Sequence, residues 1–132
     1  MNFQGRRFRN GESIYSEWFQ RGGDNAIFRA ETINAEVADS TTITVTFKLY
    51  TKNRDEAGDG SVVKDSGNSD YQLQIADDDS TIQQVIAVST TTAGQGFEEL
   101  VRVKASVSAT DDGNWLLGRL FPPVWYDASQ PA

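Results

Sequence analysis

Strict alternation of apolar and polar residues is the feature that most restricts the fold of this chain, and it is clearest from Thr42 to Thr51. Apolar side chains occupy every second position of that segment, at Ile43, Val45, Phe47 and Leu49. Threonine, lysine and tyrosine fill the positions between them. Because successive side chains of a strand point to opposite faces, the pattern predicts a half-buried β-strand.

Shorter alternating segments recur at residues 26–30, 71–75 and 101–107, and no segment carries a convincing helical repeat. Turn-forming residues separate them, for example Gly22-Gly23-Asp24-Asn25 and Asp112-Gly113. We therefore predict an all-β fold, namely a single antiparallel β-sandwich that is jelly-roll-like and has about seven or eight strands. A small closed β-barrel is the alternative.

The length of 132 residues is that of one domain, so residues 1–132 are expected to form a single sandwich. Short arms are expected at both ends, at residues 1–12 and 122–132. The second arm begins with Pro122-Pro123, which cannot continue a central ladder because proline has no N–H to donate.

The absence of histidine and cysteine restricts the chemistry. Ser-His-Asp and Cys-His relays need those residues, and so do the usual zinc sites. Of the remaining carboxylates, Glu98 and Glu99 are adjacent and face opposite ways on a strand, and Asp77 to Asp79 lie in a turn. The sequence thus predicts that the chain is not an enzyme and has no cofactor.

Calcium is the one cofactor that the residue types leave open. Asp55, Glu56, Asp59 and Ser61 share a glycine-rich loop, and calcium is bound by oxygen ligands of this kind. Their spacing does not fit the EF-hand loop. Exposed turns are the more common explanation for such a loop, so calcium is kept only as the weaker alternative.

Charge argues against some partners and compartments. The chain has 12 Lys+Arg and 19 Asp+Glu, a net charge of -7, which disfavours direct nucleic-acid binding. A small basic group at Arg6, Arg7 and Arg9 is interpreted as a solvated terminus, with a docking arm as the alternative. Neither a secretion signal nor a membrane-length apolar stretch is seen. A virion or a cytoplasmic assembly is the expected location.

Aromatic residues gather near the two ends of the chain. The candidate interface or glycan-binding residues are Tyr15, Phe19, Phe121, Trp125 and Tyr126, together with the three arginines of the first arm. Trp and Tyr are favoured anchors in protein interfaces. The segment 114–121 is apolar on both faces, which predicts a central strand or one covered by another chain. Arg119 in that segment is expected to stack on an aromatic ring or pair with a carboxylate.

These features favour a structural subunit of a homo-oligomeric particle or lattice, such as a viral or phage capsid, decoration or tail component. Its partners would be further copies of itself and other structural proteins of the same particle. The alternative is a carbohydrate-binding β-sandwich module, with Trp125, Tyr126, Tyr50 and Tyr71 as the platform on which sugars stack.

Overall fold

The structure is a computed structural model that describes residues 3–89 and 95–127. All regular structure within those ranges is β-strand. The eleven strands are β1 (Arg6–Arg9), β2 (Ser13–Tyr15), β3 (Phe19–Gln20), β4 (Asn25–Glu36), β5 (Ile43–Lys52), β6 (Ser61–Val62), β7 (Gln72–Ala76), β8 (Gln83–Val88), β9 (Leu100–Ala109), β10 (Trp115–Leu120) and β11 (Val124–Tyr126).

The first sheet is built on the long strand β4. Its neighbours on one side are β10 and then β11, its neighbour on the other side is β8, and β1 lies outside β10. Leu120 pairs with Ala30 and Val124 pairs with Ile27, so β11 continues β10 along the same edge of β4. The interruption falls at Pro122-Pro123, which have no N–H to donate to the ladder.

The second sheet is built on β5 and β9, which pair over ten residues from Ile43↔Ala109 to Lys52↔Leu100. β2 and β3 pair with the outer edge of β9, and β7 and β6 pair with the outer edge of β5. Between β2 and β3 the side chain of Ser16 replaces a strand partner: the Val103 N–H donates to Ser16 Oγ at 2.9 Å, and the Ser16 N–H donates to the Val103 carbonyl at 2.8 Å.

The strands wind as a jelly roll. Since β2 with β3, β6 with β7, and β10 with β11 are interrupted strands, the eleven segments fill eight positions. Counted along the chain, the first position pairs with the eighth, the second with the seventh, the third with the sixth and the fourth with the fifth. All these pairs are antiparallel, so the predicted all-β antiparallel sandwich with its jelly-roll character is confirmed.

Apolar faces of the two sheets form the core between them. The four alternating residues that defined the predicted strand, Ile43, Val45, Phe47 and Leu49, are all buried. Phe47 meets Phe3 and Phe8, with ring centroids 5.9 Å from each. At Gly118 an added Cβ would lie 2.7 Å from Ile75 Cδ1 of the facing sheet and 3.1 Å from the carbonyl oxygen of Glu31 in the neighbouring strand β4, so the space holds only glycine without a shift.

The strands at the chain ends lie within the ranges expected to form arms. β1 pairs with β10 from Arg6↔Gly118 to Arg9↔Trp115, and β11 pairs with β4. β10 lies between β1 and β4, as the apolar character of both its faces predicts for a central strand. No helix suited to crossing a membrane occurs in residues 3–89 and 95–127.

Candidate interaction surfaces

The outer face of the first sheet carries a cluster of exposed apolar side chains. Val124, Ile27 and Ile86 form a cross-strand row, because Ile27 pairs with both of the others. Val88 and Tyr126 lie beside this row, each opposite Asn25. Ile86, Val88, Val124 and Tyr126 are between 39% and 50% exposed. We call these five residues, Ile27, Ile86, Val88, Val124 and Tyr126, the apolar patch.

Stacked arginines adjoin the apolar patch on the same face. The guanidinium of Arg119 lies 4.3 Å from the centroid of the Phe121 ring, and that of Arg29 lies 5.6 Å from it. Arg119 also pairs with Glu31 at 2.7 Å, so both partners predicted for this arginine, an aromatic ring and a carboxylate, are confirmed. Further along the sheet Arg7 stacks over Trp115 at 4.5 Å.

This face brings together several of the candidate residues from the two chain ends. Phe121, Tyr126 and Arg7 lie on it, and Arg9 is an exposed residue that shares the orientation of Arg7 on β1. Arg6 points the other way and lies 3.8 Å from Glu12.

The remaining three candidates lie elsewhere. Trp125 faces inward, where its ring packs edge-on against Phe97 at 5.3 Å and Phe28 at 6.4 Å. Phe19 packs against the core. Tyr15 belongs to the outer face of the second sheet, where it meets Tyr50 at 5.8 Å.

The four rings of the expected glycan platform are therefore dispersed. Trp125 and Tyr126 are neighbours in one strand and point to opposite faces, and Tyr50 lies on the other sheet. The hydroxyl of Tyr71 lies 3.1 Å from both the amide and the carbonyl of Val88, at the edge of β8.

A cation–aromatic cluster occupies the outer face of the second sheet. Arg102 lies 3.7 Å from the Tyr15 ring centroid and 4.5 Å from that of Trp18, and it pairs with Asp59 at 2.9 Å. Lys104 adds a second cation at 5.4 Å from Tyr15, and Lys52 lies 4.7 Å from Trp18. No local sequence pattern identifies this cluster, although Arg102 and Lys104 alternate with the buried Val101 and Val103, which is typical of side chains on a solvent face.

A shallow groove of about 430 Å³ lies at one end of the sandwich, lined by Gln20, Arg21, Asn53, Arg54, Phe97, Glu98 and Glu99. Glu98 Oε2 is buried there and has no hydrogen-bond partner within the described ranges. Burial raises the pKa of Glu98 above its usual value, and the nearby carboxyl of Glu56 raises it further. The groove therefore disfavours ionisation of Glu98.

The loop considered for calcium makes protein contacts. Asp59 pairs with Arg102, and a carboxylate oxygen of Glu56 accepts the Asn53 N–H at 3.2 Å. Across residues 3–89 and 95–127, no three acidic side chains converge in an arrangement suited to a metal ion.

Comparison with known protein families, with curated proteins and with solved structures found no match to this chain. The functional argument therefore depends on the surfaces described above.

Proposed function

We propose that this protein is a structural subunit that assembles with copies of itself into a particle or lattice, with the apolar patch as the contact. The observation that carries the proposal is the cross-strand row of Val124, Ile27 and Ile86 on a sheet face that no other part of the described chain covers. Contiguous exposed apolar surface on a small domain commonly marks a protein–protein interface.

The surroundings of the apolar patch have the composition of an interface. Aromatic residues and arginine are enriched at protein contacts, and both adjoin the patch in the Arg29–Phe121–Arg119 stack. Stacking holds these long side chains in place before any partner arrives, which lowers the entropy lost on binding. Tyr126 supplies a ring with a polar end at the rim.

The jelly-roll winding supports a capsid-like particle by analogy. Viral capsid subunits share this architecture, as do lectins and cupins, so the winding alone selects none of them. The exposed face of the first sheet favours assembly among these classes. A virus or phage particle, in its shell, decoration or tail, is the specific form that we propose.

The proposal is tested by the mass of the particle in solution, measured by sedimentation or light scattering on the full chain. We expect the wild type to be oligomeric and Ile86→Lys to weaken the association about tenfold or more. Ile86 is 46% exposed, so the variant should remain folded by circular dichroism. Ile33→Lys is the matched control, because Ile33 is 50% exposed at the far end of β4.

A wild type that stays monomeric at high concentration would overturn the proposal. So would equal oligomerisation of Ile86→Lys, Ile33→Lys and wild type. If the monomeric protein instead changes its tryptophan fluorescence on addition of polysaccharides, the carbohydrate-binding alternative replaces it.

A further inference from the structure

One end of the sandwich is strongly acidic. Three of the loops that meet there, at residues 37–42, 77–82 and 110–114, contain no lysine or arginine. We call them the acidic end. Its six carboxylates belong to Asp39, Asp77, Asp78, Asp79, Asp111 and Asp112. Among the residues that the structure describes, none of the six forms an ion pair with a lysine or arginine.

Hydrogen bonds hold the loops of the acidic end in one arrangement. Asn114 accepts the Ala38 N–H at 2.9 Å and donates to Thr41 Oγ1 at 3.0 Å and to the Thr42 carbonyl at 3.2 Å. A carboxylate oxygen of Asp77 accepts the Ile43 N–H at 2.9 Å. The negative charges are therefore concentrated on a preorganised surface.

The outer face of the second sheet has the opposite charge. We call it the basic face, and its charged residues are Lys48, Lys52, Lys64, Arg102 and Lys104 with the carboxylates Asp59 and Asp70. The contacts of this face join five cations with two carboxylates, whereas the net charge of the whole chain is -7. Lys104 has no carboxylate partner within the described ranges.

We propose that the basic face of one copy binds the acidic end of another copy. This inference rests on the proposed self-assembly and adds a second, electrostatic contact to it. The acidic end supplies the counter-charges that the basic face lacks, and charge complementarity of this kind guides association and fixes its orientation. A contact that joins different surfaces of two copies is heterologous, so it extends or closes an assembly beyond a dimer.

A nucleic acid is a less suitable occupant of the basic face. Bases bind such faces by stacking on free aromatic rings, but here cations already cover the rings. Arg102 lies against both Tyr15 and Trp18, and Lys104 and Lys52 lie over the same two rings. The overall negative charge of the protein also repels a phosphate backbone.

Charge reversal on each surface tests the contact. The basic-face variant is Lys52→Glu with Lys104→Glu, and the acidic-end variant is Asp39→Lys with Asp78→Lys. Asp39 and Asp78 are exposed, so the acidic-end variant should fold. Lys52 and Lys104 are half-buried, so circular dichroism must show that the basic-face variant is folded before its self-association is compared. The control Asp55→Lys with Asp127→Lys makes the same change in net charge as the acidic-end variant, at exposed residues outside both surfaces. A mixture of the two reversed variants controls for the opposite change in the basic-face variant.

We expect the self-association of each reversed variant, measured by sedimentation at low ionic strength, to be at least about tenfold weaker than that of wild type and of the control. An equimolar mixture of the two reversed variants should recover association, because each then offers the surface that complements the other. Added salt should weaken the wild-type contact.

If wild type, the reversed variants and the control all self-associate equally well, this inference is overturned but the proposed function still stands. A wild type that is monomeric at every ionic strength would overturn both. Binding of single-stranded DNA that Lys52→Glu with Lys104→Glu abolishes, without recovery of self-association on mixing, would assign the basic face to a nucleic acid instead.

Discussion

Asn114→Ala should lower the free energy of unfolding by about 2–3 kcal/mol, because Asn114 is 98% buried and joins two loops through three hydrogen bonds. A hydrogen bond contributes about 1 kcal/mol net, and a buried group that loses its partner costs about 1–3 kcal/mol. Ala38 and Thr42 are exposed, so water can replace part of what is lost there. The expected loss of unfolding free energy is therefore smaller than the sum of these separate contributions.

Equilibrium unfolding in urea measures this difference directly. Asn34→Ala serves as the control because the Asn34 side chain is exposed and, among the described residues, accepts a hydrogen bond only from the N–H of its neighbour Ala35. A surface change of that kind should stay within about 0.5 kcal/mol of wild type. Asn114→Asp is the more informative variant. It keeps the acceptor for the Ala38 N–H but loses both donated hydrogen bonds, and it adds a negative charge within the acidic end. Stability of Asn114→Asp equal to that of wild type would refute the reasoning.

Three further changes have definite expected outcomes. Glu98→Gln should stabilise the protein at neutral pH, because the raised pKa of Glu98 means that ionisation costs stability as pH rises through that pKa; the gain should vanish below about pH 4.5 in urea titrations. The exposed Glu36→Gln is the control, since it removes a carboxyl that is not among the causes of the raised pKa of Glu98. Gly118→Ala should cost about 1–3 kcal/mol in thermal unfolding from overpacking, and an unchanged midpoint would contradict that. Ser16→Ala should lower the free energy of unfolding by about 1–3 kcal/mol, because the buried Val103 N–H loses its acceptor. A urea midpoint equal to that of wild type would contradict this.

The sequence predicts a strand where one face of that strand is buried and the other is exposed to solvent. The alternation of β5 predicted its buried face because a shift of one residue would expose Phe47 and its neighbours. The nested pairing was not readable, since it depends on which distant strands meet. β6 was assigned to a long loop because its two residues, Ser61 and Val62, are too few to show a period.

The candidate surfaces were only partly predictable for the same reason. Phe121 and Tyr126 were singled out and lie on the first sheet's outer face, but the direction of Trp125 was not predictable after Pro122-Pro123 interrupt the ladder. Arg102 and Trp18 are far apart in sequence and meet only when β9 pairs with the segment at the start of the chain. A local sequence pattern cannot predict a contact of this kind, because it depends on strand pairing over a long sequence separation.

The nested pairing of the jelly roll also determines how this chain can acquire its structure. The pairing of β5 with β6 closes the shortest loop, at Thr51 and Ser61, and β7 extends it along the same edge. By contrast, β1 and β10 join residues as distant as Arg6 and Gly118. Pairing distant strands loses loop-closure entropy before their contacts can stabilise the protein. We therefore expect folding to proceed from the middle of the chain outward and to take about milliseconds to seconds. On the ribosome, β1 emerges long before β10, so β1 stays open to wrong pairings until β10 has been synthesised.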